Sequence, residues 1–403
     1  MKVVVIGGGA SGLIAAITLK ELGSDVTLIE RNPKLGRKIL ATGNGRCNFM
    51  NIDATEYQYN HPYFVKPVFE QMSPEKTLHY FENLGVTARI EDLGKAYPFS
   101  EQASSIVDVL VYEIERLGIP VIFDAKVTQL TKPYDFEITL ENGTSLHADR
   151  VILATGGKAM PRSGSDGLGY TLAQSFGHKI TTLFPALTKL ELDSPHLKQI
   201  DGVKIQGTVE LLQYGQVLQV EKGDVLFTKY GISGPTILQL SRKANELLSL
   251  EQEAEVKVIL VEHLDRRELA KRFLTLEHKT AYFSLVGLVH KKLILPLLSD
   301  ANINPDSQVK DVPKPQINRL IHLLYDWRFK ITGSKDFDDA QVTAGGIEIN
   351  DVNPQTLESK LVSGLFFCGE ILDIDGICGG YNLQWAWSSG YVAAKFAARE
   401  KKN

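Results

Sequence analysis

The sequence predicts an α/β protein: a Rossmann-like domain, discontinuous in the chain, interrupted by an inserted domain. Three observations carry this. The apolar run Val3-Val4-Val5-Ile6 leads into Gly7-Gly8-Gly9-Ala10-Ser11-Gly12 and an apolar helix. Arg150-Val151-Ile152-Leu153 leads into Ala154-Thr155-Gly156-Gly157 after several short strands. Leu365-Phe366-Phe367-Cys368 leads into Gly369-Glu370, and Gly379-Gly380 then opens a last apolar helix.

The opening unit fits GxGxxG, with Gly7 for the tight turn, Gly9 for close approach of a pyrophosphate, and Gly12 for helix–strand packing. Ala10 and Ser11, in the glycine turn, belong to the candidate cofactor set, and the helix that follows has unpaired N–H groups and a positive dipole end that suit phosphate. The next strand, Asp25–Ile29, ends in Glu30, a carboxylate that can accept hydrogen bonds from an adenosine ribose, and Arg31 follows it. GxGxxG alone is a weak signal. Here a preceding strand, the helix Leu13–Leu22 and an acid about 20 residues on give it context. Val3–Leu19 is uncharged, but its glycines and the single lysine ahead of it argue against a secretory leader.

The totals bound the class. A chain of 403 residues is long enough for two domains. With 43% hydrophobic and 23% charged residues it has the material for a large core. The net charge of −4 does not point to nucleic acid. Apart from the glycine-broken start, no uncharged apolar run reaches the ~18–20 residues of a membrane helix. Cys47, Cys368 and Cys378 are odd in number and form no CxxC. They suit a reducing cytoplasm, exclude a disulfide framework and a four-cysteine zinc site, and argue against a redox-active cysteine pair. No histidine makes a metal spacing such as HExxH, so no metal is expected.

After Glu30 comes a polar turn with four cations, Arg31, Lys34, Arg37 and Lys38. The small-residue loop Ala41–Asn48 follows, in which Gly43, Asn44 and Gly45 favour positive φ and a bent backbone. The pattern then predicts helix over Tyr63–Leu84 and over Ser100–Leu117. Short strands are predicted at Pro120–Phe123, Ala125–Leu130 (which contains Val127), Phe136–Leu140 and Ser145–Ala148, with a hairpin turn at Glu141-Asn142-Gly143. Gly164, Gly167 and Gly169 precede a helix over Tyr170–Phe176.

From Thr188 to Lys335 the pattern changes to strands over 203–230, a helix over Thr236–Leu248, a strand over Val256–Val261 and a helical region through Leu324. This β-plus-helical insert has no phosphate-binding glycine motif. Its basic run, Asp265–Arg272, reads better as a solvated helix face with a Glu268–Arg272 pair than as an RNA contact. A glycine turn at Thr343–Ile347 and the helix Leu383–Arg399 return to the opening theme. The expected division is 1–187 and 336–403 as one domain, with 188–335 inserted.

Three glycine-lined strand ends exceed what a nicotinamide dinucleotide needs. FAD is longer, and its ribityl chain and flavin rings account for Ala154-Thr155-Gly156 and for Gly369-Glu370, where Glu370 can accept ribityl hydrogen bonds. The helix starting near Gly380–Leu383 can aim its N-terminus at the flavin pyrimidine edge, which becomes anionic on reduction.

These motifs, with Leu35–Asn48, Thr228 and Gly231–Pro235, Thr343–Gly346, and Gly369–Asp373 through Asn382-Leu383-Gln384, make the chain resemble the BaiN/YhiN-like bacterial flavoproteins over nearly its whole length. The resemblance implies non-covalent FAD, a Rossmann-like FAD domain and an inserted β-barrel with a helical bundle. It also implies that Arg37, Lys38, Gly43, Asn44, Cys47 and Asn48 lie along the cofactor. Val127, Asp373, Asn382 and Leu383 complete the candidate cofactor set. Members are aminoacetone oxidase-like or NAD(P)H-dependent reductases of unsaturated steroid ketones.

The expected function is a cytoplasmic FAD-dependent oxidoreductase acting on a small molecule. Flavin N5 accepts a hydride from a small amine or from NAD(P)H, and electrons pass to oxygen or to an activated alkene. The lack of a second GxGxxG for nicotinamide leans toward an oxidase. Arg46 is weighed evenly between a substrate or flavin contact and a phosphate contact or structural salt bridge, and Cys47 reads as a packing residue rather than a reactive thiol. The alternative class is a flavin-bearing binding protein that engages RNA or a protein through the insert.

Overall fold

Val3, Val4 and Val5 are fully buried because strands flank them on both sides. In the computed structural model, which describes residues 1–399, five parallel strands lie in the order Leu365–Phe367, Arg150–Leu153, Lys2–Ile6, Asp25–Ile29, Val121–Ile122. Ile6 sits level with Leu153 on one side and Ile29 on the other. The continuous apolar runs in the sequence are those of strands covered on both faces. The opening helix, Ala10–Glu21, packs on the closing helix, Tyr381–Ala397. Their approach is close at one point, where a Cβ on Gly390 would lie 2.4 Å from the Ser11 carbonyl oxygen.

The chain divides into two units, Met1–Phe184 with the segment from Ala340 onward, and Pro185–Asp339. The first carries the parallel sheet, the antiparallel sheet Val127–Thr131, Phe136–Leu140, Ser145–Ala148, and a second small sheet of Met50–Asn51, Lys95–Pro98 and Ala88–Ile90. The helical pattern over 63–84 is two helices, Pro62–Gln71 and Pro74–Asn83. The break follows from Ser73-Pro74: proline takes the first helical position and the Ser73 hydroxyl caps the Lys76 N–H. The opening helix begins at Ala10 rather than Leu13, because Gly12 belongs to its first turn.

The second unit is a closed barrel in the order Leu190–Asp193, Gly231–Ser233, Gln216–Thr228, Lys204–Gln213, Glu255–Ile259, Trp327–Ser334. Its core includes Val209, Val225, Phe227, Val256, Trp327 and Phe329, and the last two rings stand 4.7 Å apart. The strand Trp327–Ser334 went unread in the sequence, although its alternation of Trp327, Phe329 and Ile331 with exposed Arg328 and Lys330 marks it. Helices Pro235–Ser249, Arg266–Thr275, Lys291–Asp300 and Lys314–Tyr325 accompany the barrel. The expected Glu268–Arg272 pair is replaced by local bonding. Glu268 closes a capping box with Asp265, and Arg272 donates to the carbonyls of Ser284 (3.1 Å) and Val286 (3.4 Å). No helix among the described residues is long and apolar enough to cross a membrane.

Candidate functional site

The carboxyl ends of the parallel strands bring Gly7, Glu30, Ala154–Gly157 and Cys368–Glu370 to one edge of the sheet. Ligands of open α/β sheets bind at this edge. The three motif glycines are needed for different reasons. A Cβ on Gly7, whose φ is +109°, would lie 2.4 Å from the Ala154 carbonyl oxygen, and one on Gly12 would lie 1.8 Å from that of Gly7. A Cβ on Gly9 would meet nothing within 4 Å. Gly7 and Gly12 are therefore packing glycines, whereas Gly9 borders open space at the helix N-terminus, where phosphate has backbone N–H groups to meet. Ala10 and Ser11 form the first turn of that helix.

Glu30 is buried and anchors the loop. Its Oε2 accepts the Gly8 N–H (2.8 Å) and its Oε1 accepts the Asn32 backbone (2.8 Å) and side-chain (2.7 Å) N–H groups. The cations after it are also engaged. Arg31 pairs with Asp166 (2.5 Å), Arg37 donates to Asn32 Oδ1 (2.7 Å), and Lys38 Nζ stands 2.6 Å from Glu370 Oε2. The other oxygen of Glu370 accepts the Thr343 N–H at 2.8 Å. Thr343 Oγ1 in turn accepts the N–H groups of Lys158 (2.7 Å) and Ala159 (2.8 Å). Glu370 thus ties the Thr343 turn and Lys38 to one strand end.

The 41–48 loop is bent as its composition predicts, with φ of +56° at Gly43, +54° at Asn44 and +83° at Gly45; Cys47 joins them at +58°. A Cβ on Gly43 would lie 2.7 Å from the Asn48 nitrogen. Burial pushes the Cys47 thiol up to about 12, against a weaker opposing bond with Thr42, so it is a packing residue. Of the readings of Arg46, the geometry shows the salt bridge. The guanidinium sits 2.5 Å from Glu91, 3.5 Å from Glu101, and 4.2 Å over the Tyr97 ring.

Asn48 faces the last motif: a Cβ on Gly380 would lie 2.8 Å from Asn48 Oδ1 and 2.5 Å from the Met50 carbonyl. Asn382 closes that loop by accepting the Gly376 N–H (2.9 Å) and donating to the Gly376 carbonyl (2.8 Å). Leu383 follows in the first turn of the closing helix. Asp373 Oδ1 accepts from Asn60 (3.0 Å), and Oδ2 lies 3.5 Å from His61 Nε2. Val127 stands apart from these polar contacts, with its side chain in the apolar core. At the middle strand end, Gly156 has φ +71°, and a Cβ there would lie 2.7 Å from Ser165 Oγ.

Several polar atoms along these segments are buried without a hydrogen-bond partner: Thr155 Oγ1, Asn48 Oδ1 and Tyr170 Oη. Buried polar groups in native proteins are normally satisfied, so these atoms are exceptions within an otherwise well-paired region. With open space at Gly9 and two helix N-termini, the residues fit an elongated nucleotide cofactor with phosphates and a polyol. Reading the sequence did not mark Asn32, Asp166 or Tyr170, whereas Thr343 lies in a turn that it singled out. The closely spaced Gly164, Gly167 and Gly169 were the available signal for Asp166 and Tyr170.

Comparison with known proteins shows what the chain is similar to. The sequence model of the HI0933-like protein Rossmann domain family matches residues 1–396. The chain is 38% identical over 405 residues to a 3-dehydro-bile acid delta(4,6)-reductase of Clostridium scindens, covering 98% of this chain and 99% of that protein. It is 32% identical over 407 residues to a ribosomal RNA dihydrouridine synthase of Haemophilus influenzae, covering 98% of each. Among solved structures, a 3-ketosteroid delta1-dehydrogenase from Sterolibacterium denitrificans is similar with a TM-score of 0.50 at 11% identity, covering 98% of this chain and 99% of that one. That last likeness is one of fold.

Proposed function

The chain belongs to the HI0933-like family, and from that premise we propose that it is an FAD-dependent reductase of a carbon–carbon double bond conjugated to a carbonyl, with NAD(P)H as transient electron donor. The observation that carries the cofactor is the convergence of three glycine-lined strand ends, with open space at Gly9 beside a helix N-terminus. Two relatives support the direction of electron flow. One is named for reducing an unsaturated 3-dehydro bile acid, the other for making dihydrouridine. A 3-ketone with delta(4,6) unsaturation and a uracil ring share an alkene conjugated to a carbonyl. Dihydrouridine is the uridine base with that alkene saturated.

In this reading Gly9 and the N–H groups after it meet the pyrophosphate, while Gly7 and Gly12 hold the loop that presents them. Glu30 fixes that loop and keeps a lone pair for the ribose. Thr155, Asn48, the Lys38–Glu370 pair and the 43–48 backbone line the remaining length, and the N-terminus at Gly380 offers its positive end to the flavin ring. When bound, FAD supplies the hydride acceptor and donor. A uracil base within RNA is the second reading of the substrate, supported by the dihydrouridine synthase relatives.

The test is anaerobic spectroscopy of the purified protein. A yellow protein that NADPH or NADH bleaches, and that a conjugated enone restores, is the expected outcome. Bleaching by small amines but not by nicotinamides makes it an oxidase instead, and a colourless protein that takes up no FAD removes the reading altogether. Restoration of colour by ribosomal RNA but not by small enones selects the second substrate.

A further inference from the structure

Lys38 and Glu370 form an ion pair at the carboxyl edge of the parallel sheet, with Nζ 2.6 Å from Oε2. Each is tied to a different flank of the glycine turn. On one flank the Gly36 N–H donates to the Gly8 carbonyl at 2.9 Å, and the Ile39 N–H donates back to the Gly36 carbonyl at 2.9 Å. Lys38 therefore sits on a turn fixed to Gly8. On the other flank a Cβ on Gly369 would lie 2.5 Å from Ser11 Oγ, and Ser11 Oγ donates to the Cys368 carbonyl at 3.4 Å. Glu370 therefore follows a backbone pressed against Ser11.

Gly9 and Ala10 lie between these two anchors, and Gly9 is where an added Cβ meets nothing within 4 Å. The strand order agrees. Lys38 follows the strand Asp25–Ile29 and Glu370 follows Leu365–Phe367, with Lys2–Ile6 and Arg150–Leu153 between them. The ion pair thus joins the two sides of the turn that borders the open space. Its side chains are 23% and 21% exposed, so both reach the surface there.

Their charges matter as much as their position. Glu30, another carboxylate at this turn, is buried and accepts N–H groups from Gly8 and Asn32. Glu370 accepts the Thr343 N–H and the Lys38 ammonium. A pyrophosphate brought to the space at Gly9 is anionic, and a carboxylate at the same edge repels it unless a cation cancels the charge. We propose that Lys38 is a positioning residue that neutralises Glu370, the pair strapping the flanks of the Gly8–Ser11 turn so that an anionic dinucleotide can lie on it. The inference rests on the reading that this site takes up FAD.

The test is a double-variant cycle in the full chain: Lys38→Met, Glu370→Gln and both together. Each is stripped to apoprotein and titrated with FAD and, separately, with ADP, which carries the pyrophosphate without the flavin. Lys38→Met is expected to weaken FAD binding about tenfold or more, because a carboxylate is left uncompensated near the phosphates. Glu370→Gln keeps an oxygen for the Thr343 N–H and weakens binding less. The double variant binds FAD more tightly than Lys38→Met alone, since the stranded carboxylate is gone. ADP follows the same order, and added salt narrows the gap between Lys38→Met and wild type.

A double variant no tighter than Lys38→Met overturns the proposal, as does ADP binding that Lys38→Met leaves unchanged. A merely structural tie lowers the apo Tm of Lys38→Met and shows no such recovery. Should Lys38→Met not fold, Lys38→Gln and its double variant run the same cycle. Failure of Lys38→Gln to fold as well overturns the proposal, because a partly exposed ion pair contributes little to stability. Wild-type protein that takes up neither FAD nor ADP sinks the cofactor reading itself, whereas wild-type uptake with an additive cycle sinks only this inference.

Discussion

Gly9 and Gly12 look alike in the sequence and differ in what surrounds them. Gly9 has φ −84° and no atom within 4 Å of a hypothetical Cβ, whereas at Gly12 that Cβ would sit 1.8 Å from the Gly7 oxygen. Gly12→Ala is expected to destabilise the apoprotein by about 3 kcal/mol or more, since overpacking of this kind moves backbone. Gly9→Ala should leave the apo Tm within a degree or two yet weaken FAD uptake, because its methyl enters the space left for phosphate. Denaturation and flavin titration of the two variants check this, and equal effects on both quantities would refute it. Cys47 and Cys368 give a pH dependence. Burial raises both thiols from 9.0 to about 12. The folded state therefore favours the protonated thiols. Their stabilisation is fully present below about pH 9 and is lost as pH rises toward about 12. Urea midpoints should fall over that window, with a shallower fall in Cys47→Ala.

At the scale of elements, the closing helix holds the third strand end in place. Ser389 Oγ accepts the buried Gly369 N–H at 2.9 Å, and Trp385 Nε1 donates to the Gly369 carbonyl at 3.1 Å. Trp387 Nε1 reaches the Phe49 carbonyl, so the same helix also braces the 41–49 loop. Ser389→Ala strands a buried N–H and should cost about 1–3 kcal/mol, with a matching drop in FAD affinity because Gly369 is freed to turn. Chemical denaturation and titration measure both, and a stability loss with affinity intact would show that the strand end needs no brace. The existence of these elements was legible from period and punctuation. Glycine after apolar runs marked all three strand ends, and Gly43-Asn44-Gly45 marked the bent loop. Their limits were less so. Ser73-Pro74 splits a helix whose apolar period runs straight across it, and the start at Ala10 depends on Gly12 lying against Gly7.

For the whole molecule, each unit has its own apolar core, one around the parallel sheet and one around the barrel and its helices. Calorimetry should resolve two unfolding transitions. FAD should raise the one belonging to Met1–Phe184 with Ala340 onward, by binding only its folded form. A single transition, or a rise in the other one, would contradict this. The sequence by itself determined the class of fold and the places where backbone must turn sharply, because both are local properties: side-chain period, and the φ that glycine permits. Tertiary structure alone decided which distant atoms meet. It set Lys38 against Glu370, gave both Glu370 oxygens protein partners, and put Arg272 against the carbonyls of Ser284 and Val286 in place of the expected pair with Glu268. Such contacts join residues far apart in the chain, and no spacing along it encodes their approach.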